Sequence, residues 1–145
     1  MNRRSGEPDK GSLSQRLGIL AVILACMWAI ELVDFVSGAG GLDQLGIRPR
    51  SREGLWGILR APFLHGGWQH LSANSAPFAV LGFLVLLRGV RDFWLTTLVI
   101  VLLGGAGVWL FGHSSSVHVG ASGLIFGYFG FLVVVGILER SFMGV

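Results

Sequence analysis

The sequence predicts an all-α membrane protein, a polytopic helix bundle with four spans. Three observations carry this reading. Of 145 residues, 52% are hydrophobic and only 13% are charged, whereas soluble domains carry about 25% charged residues. Mean hydropathy is +0.70. The charged residues gather between long apolar runs, as in polytopic chains. At about 20 residues per span, the length accommodates four helices with short connections.

The elements follow in order. Residues 1–16 hold Ser, Gly, Pro, Asp, Lys and Arg; they bury no core and are expected to form a disordered cytoplasmic N-terminus. The leader is long and of mixed charge, and no clear cleavage site follows the apolar run, so it differs from a cleaved signal peptide. Residues 17–36 form the first span. Glu31 and Asp34 lie toward its far end; each costs about 3 kcal/mol at mid-bilayer, which places them near the interface or facing protein. The one cysteine, Cys26, excludes an intrachain disulfide and a Cys-based zinc site. It reads as a small buried apolar residue.

Residues 37–67 are the longest connection, rich in glycine yet carrying Leu55, Trp56, Ile58, Leu59 and Phe63. Connections of this length without structure of their own are usually functional, and the Trp and Leu content places this one partly in the membrane interface. The second span is 68–87, followed by a tight polar turn, Arg88 to Asp92. The third span, 93–111, offers Gly104, Gly105 and Gly107 for close packing. A Ser- and His-rich connection, 112–119, leads to the fourth span, 121–138. Glu139 and Arg140 mark its exit, and 141–145 reads as a truncated tail.

Net charge is +3, with ten arginines to one lysine. The arginines flank apolar spans, so orientation and lipid headgroups explain them better than nucleic acid does. Seven basic residues (Arg3, Arg4, Lys10, Arg16, Arg88, Arg91, Arg140) fall on one side of a four-span chain and four (Arg48, Arg50, Arg52, Arg60) on the other. The positive-inside rule then predicts a cytoplasmic N-terminus and a plasma-membrane location.

With that parity, the second and fourth spans run in the same direction. His70, Asn74 and Ser122 all fall in the first turn or two of those spans, at one shallow depth. His70 and Asn74, spaced i, i+4, share a helix face, and both can donate to a developing oxyanion. Ser122 opens a helix, where free N–H groups and the dipole favour negative charge. A plainer reading makes Ser122 an N-cap and the other two helix ties. Gly120, Gly123, Gly127 and Gly130 step by three, four and three, one small-residue face that lets another backbone approach.

Two blocks then resemble a known family. Phe63-Leu64-His65-Gly66-Gly67-Trp68-Gln69-His70-Leu71-Ser72-Ala73-Asn74 is similar to the His-x4-His-x3-Asn signature of the rhomboid intramembrane serine proteases. Gly120-Ala121-Ser122-Gly123-Leu124-Ile125-Phe126-Gly127 is similar to their Gly-x-Ser-Gly-x3-Gly signature. The resemblance covers roughly residues 17–140, a rhomboid-like transmembrane domain with four of the family's six core helices. It implies a serine endopeptidase with Ser122 as nucleophile and His70, Asn74 and the Ser122 amide as oxyanion hole. Gly120, Gly123 and His65 would support the site, His65 by bracing the first loop. It implies no cofactor and no metal. Its partners would be transmembrane segments of membrane-protein substrates, cut near the outer face, together with the lipid bilayer.

Two departures stand out. Trp56 is followed by Gly57 where many members carry Trp-Arg. The family's general base is a histidine on the sixth helix, and no histidine follows Ser122 in these 145 residues. His113 and His118 precede the serine and read as solvated loop residues, although His118 lies at the serine's level. A serine hydroxyl without its base loses about 10⁴ to 10⁶ in turnover, so the chain alone is expected to be a nearly inactive fragment. The alternatives are a non-catalytic rhomboid-like binder of client helices and an unrelated scaffold or metal carrier. The last is disfavoured because zinc needs three or four convergent ligands.

Overall fold

The computed structural model describes residues 11–38 and 41–143, so most of the expected disordered leader (1–10) and the last two residues lie outside the described residues. Five helices account for almost all of it: α1 (Leu13–Ser37), α2 (Arg52–Arg60), α3 (Trp68–Leu86), α4 (Val90–Phe111) and α5 (Ser122–Met143). Short 3-10 turns at Leu42–Leu45 and Ala61–Phe63 complete the first connection.

Each boundary has a local cause. Ser12 caps α1 by accepting the Gln15 N–H, so the helix starts at Leu13, within the stretch expected to be disordered. Gly38, at φ 117°, ends it in the left-handed conformation that glycine adopts at little cost. Gly89, at φ 153°, starts α4 and shortens the turn expected over 88–92. α5 runs from Ser122 to Met143, past the expected end at 138.

Three of these helices, Leu13–Ser37, Val90–Phe111 and Ser122–Ser141, are long and apolar enough to cross a membrane. α3 is 19 residues long, or about 28 Å, but does not reach that apolarity. Gln69, His70, Ser72, Asn74 and Ser75 occupy its first two turns. Its neighbours compensate, because α3 packs against α1, α4 and α5.

The core is a single cluster shared by those four helices. It comprises Leu20 and Met27 of α1, Leu71, Phe78, Val85 and Leu86 of α3, Phe93 of α4, and Leu124 and Tyr128 of α5, with Ala121 just before it. Tyr128 is fully buried, and its ring lies 6.1 Å from Phe78 and 5.8 Å from Phe93. Its hydroxyl meets Thr97 Oγ1 at 2.6 Å, and Thr97 donates to the Phe93 carbonyl at 2.6 Å. Tyr128 is therefore the donor to Thr97, so both hydroxyls of this pair are satisfied.

The glycine row on α5 does not act as one packing face. Gly127 packs against the Ile100 side chain, whereas nothing lies within 4 Å of a methyl placed on Gly123 or Gly130. Cys26, expected to be buried, is exposed on α1, where an apolar thiol fits a lipid-facing surface. Glu31 and Asp34 are 4% and 5% exposed and face protein. Asp34 accepts the Leu42 N–H at 2.7 Å, tying α1 to the first connection.

That connection has structure of its own. A methyl on Gly57 would meet the Ile47 nitrogen at 2.6 Å, and one on Gly54 would meet the Arg48 nitrogen at 2.6 Å. α2 lies directly on the 46–48 backbone because these two positions have no side chains. The partner atoms are backbone and cannot swing aside, so Gly57→Ala is expected to cost about 1–3 kcal/mol. Tyr128→Phe should cost about 0.6 kcal/mol, the average for hydrogen bonds between membrane helices. Reversible unfolding in mixed micelles checks both; equal costs would contradict the rigid-backbone account.

Candidate functional site

The site forms where the chain enters α5. Gly120 has φ 110° and precedes the helix. Its N–H donates to the Ala61 carbonyl at 2.8 Å. The Ala121 N–H donates to His65 Nε2 at 3.3 Å. Two backbone donors of the segment before Ser122 are thus held by the end of the first connection. The same region is tied by an antiparallel bridge: the Ile47 N–H donates to the His118 carbonyl and the His118 N–H to the Ile47 carbonyl, both at 2.9 Å.

On its other side Gly120 meets α3. A methyl there would lie 2.7 Å from His70 Cε1, 2.8 Å from His70 Nε2 and 3.5 Å from Asn74 Nδ2. His70 and Asn74, one turn apart, therefore both face the segment leading to Ser122. The Gly66 N–H donates to His70 Nδ1 at 3.4 Å, a long bond. In a neutral imidazole that leaves the proton on Nε2, which becomes a donor beside Gly120. Asn74 is 8% exposed, and its Nδ2 is buried with no partner among the described residues. An unmade buried hydrogen bond costs about 1–3 kcal/mol, so this donor asks for an acceptor.

Ser122 is the first residue of α5, one position inside the cap expected on the plainer reading. It lines a cavity of about 300 Å³ with Gly123, Ala61, His118, Gly104 and Ile100. The cavity lies between α2, α4 and α5. His118, expected to be a solvated loop residue, is half-buried on its wall because the bridge to Ile47 pulls the 117–119 segment inward. Its Nε2 lies 3.0 Å from Ser116 Oγ. His113 stays exposed, with Nδ1 2.8 Å from Ser115 Oγ.

His65 is 1% exposed. Burial first, and then the neighbouring His70, lower its pKa to about 4, opposed by the Phe63 carbonyl. Its Nδ1 faces that carbonyl without reaching hydrogen-bond geometry. The ring is therefore neutral at ordinary pH and can accept from Ala121.

Behind His70, away from Ser122, lies a second cavity of about 290 Å³ lined by Glu31, Asp34, Asp43, Gly66, Gly67 and Trp68. Burial and the Asp34 carboxylate raise the Asp43 pKa, and His70 opposes them. Among the described residues, no group of three His, Cys, Asp or Glu side chains is arranged to hold a metal ion.

Sequence reasoning missed two supports of this site. One is the Ala61 carbonyl, a backbone group with no residue signature. The other is Arg50, at φ 56°, whose guanidinium donates to the Leu110 carbonyl at 2.8 Å and to Ser114 Oγ. It caps the C-terminal end of α4, where a cation is favourable. The adjacent Pro49 and the loop arginines were its only trace in the sequence.

A helical membrane bundle with a cavity-lining serine and paired donors on the neighbouring helix is the class of protein defined so far. Residues 52–145 match the family model of the Rhomboid domain, and the chain belongs to the rhomboid family. It is 46% identical over 127 residues to an uncharacterized protein of Mycobacterium bovis and equally so to one of Mycobacterium tuberculosis, covering 84% of this chain and 52% of each relative. An uncharacterized protein of Mycobacterium leprae is 41% identical over 126 residues, covering 83% of this chain and 50% of that one. The chain thus spans about half the length of the curated relatives it matches. No solved structure matches it. It is an integral, multi-pass membrane protein.

Two outcomes test the geometry. Gly120→Ala puts a methyl against His70 and forces an alanine into the left-handed region, and should destabilise the fold by about 1–3 kcal/mol. His65 is neutral when folded down to about pH 4, but near 6.5 when unfolded. Its contribution is therefore fully present above pH 6.5 and is lost as pH falls from there to about 4. Chemical unfolding across that range should show the slope in the native chain and lose it in His65→Gln; an unchanged slope would contradict the assignment.

Proposed function

We propose that this chain carries the nucleophilic half of an intramembrane serine endopeptidase that cuts transmembrane substrates near the outer membrane face. The observation that carries the reading is the junction at Gly120, where His70 Nε2 and Asn74 Nδ2 converge on the segment leading to Ser122. Ser122 is the nucleophile. Its hydroxyl opens on a cavity and has no hydrogen-bond partner among the described residues. The tetrahedral intermediate places a negative charge on the former carbonyl oxygen. His70 Nε2–H, the Asn74 amide and the Ser122 N–H at the α5 N-terminus stabilise that charge, each such donor being worth about 10² to 10³ in turnover.

The partnerless Asn74 amide supports this reading in particular. A donor kept dry and unpaired has no reorganisation to undergo when the oxyanion forms. Gly120 and His65 are positioning residues. Gly120 admits the donors, and His65 holds the Ala121 N–H so that the turn before the serine cannot rotate. This reading takes the general base for the Ser122 proton from outside residues 1–145.

A second reading is a rhomboid-like binder of client helices. A fluorophosphonate probe separates the two. On a full-length polypeptide that contains this sequence, labelling should be abolished by Ser122→Ala and reduced about 10²-fold or more by Asn74→Ala. The 145-residue chain alone should label about 10⁴-fold more slowly. Full-length protein that resists the probe, or labels equally well as Ser122→Ala, would leave the binder reading standing.

A further inference from the structure

α2 is turned inside out for a helix on a protein surface. Its inner face is made of Gly54 and Gly57, which lie on the 46–48 backbone. Ile58 packs against Gly105 of α4, but the other large apolar residues of α2 point outward: Leu55 is 46% exposed, Trp56 65% and Leu59 49%, and Phe63 just beyond is 36% exposed. A soluble surface would not carry such a row beside charged residues without a partner. The row is bracketed by Arg52 and Arg60, about 12 Å apart along the helix. Both are exposed, and neither forms an ion pair among the described residues. The other nearby arginines are engaged, Arg48 with Gln44 and Arg50 with the end of α4. Glu53 is the one acidic residue of α2.

We propose that Arg52 and Arg60, at the two ends of α2, select anionic phospholipid headgroups in the leaflet at the end of the bundle that holds Ser122. Two observations favour lipid over a protein partner. The outward apolar row continues the exposed apolar surface of the spans, for example Phe111, 87% exposed at the same end of the bundle. The free cations sit at the two ends of the row, where headgroups flank acyl chains, rather than within it. A basic amphipathic helix of this kind lies in the interface with its apolar face among the acyl chains. Each arginine near the surface enriches anionic lipid about fivefold. The guanidinium fork pairs with phosphate oxygens in two parallel hydrogen bonds. Lipid binding here would press α2 onto Ile47 and Ala61, the two residues whose backbones hold His118 and Gly120.

Brominated lipids test this in the intact chain. The chain is reconstituted in vesicles of brominated phosphatidylcholine or brominated phosphatidylglycerol, and the Trp56 fluorescence is taken as the difference from Trp56→Phe. Quenching of Trp56 should be at least about twofold greater in the anionic lipid at low salt, and the difference should fall in 0.5 M NaCl. Arg52→Gln with Arg60→Gln should abolish the preference while quenching by the neutral lipid persists. Arg52→Lys with Arg60→Lys should keep most of it. Equal quenching in both lipids, a preference that survives the glutamine pair, or a Trp56 that neither lipid quenches would overturn the proposal.

Discussion

Everything at the candidate site depends on how closely one backbone segment approaches a neighbouring helix. Gly120 lies where a single methyl would touch His70 at 2.7 Å. Close approach of this kind needs a residue without a side chain, and its φ of 110° needs one as well. On one side the Ala61 carbonyl and His65 take the N–H groups of Gly120 and Ala121; on the other stand the imidazole and amide of α3. The segment cannot retreat from Ala61 and His65 without leaving two backbone N–H groups unpaired. The residue that follows, Ser122, is therefore delivered to one position at the rim of a cavity.

The first connection acts as the clamp that makes this possible. It is built on glycine, with Gly54 and Gly57 letting α2 lie on the 46–48 backbone. That backbone in turn pairs with His118. Asp34 ties the connection to α1, and Arg50 with Trp109 ties it to the end of α4: the Trp109 indole donates to the Ser51 carbonyl at 2.8 Å. A segment that reads as a long loop is thus bonded to most of the bundle. Ile47, Ala61 and Leu64 are buried against the bundle, while Leu55, Trp56 and Leu59 are exposed on its outer side.

Polarity within the bundle is confined and mostly paired. Tyr128 is satisfied by Thr97, and Asp34 by the Leu42 amide. Arg88 and Glu139 pair at 2.7 Å at the far end, both partly exposed, where such a bridge contributes little to stability. Against that background two groups stand out among the described residues, the Asn74 amide nitrogen beside Gly120 and His65 Nδ1, both buried without a partner.

The sequence by itself determined the class of fold and three of the four expected spans, and it placed His70 and Asn74 one turn apart on a helix. Hydropathy and the i, i+4 step are local properties, readable along the chain. It also misled in instructive places. The row Gly120, Gly123, Gly127 and Gly130 looked like one packing face, yet only Gly120 and Gly127 meet a neighbour among the described residues, since contact depends on which helix lies opposite. Cys26 and His118 were assigned the wrong exposure for the same reason. Only the tertiary structure decided that Gly120 lies between His65 and His70, that Ala61 anchors it, and that α2 faces outward. Those facts concern distances between residues dozens of positions apart, set by how helices pack, and no periodicity within a single segment encodes them.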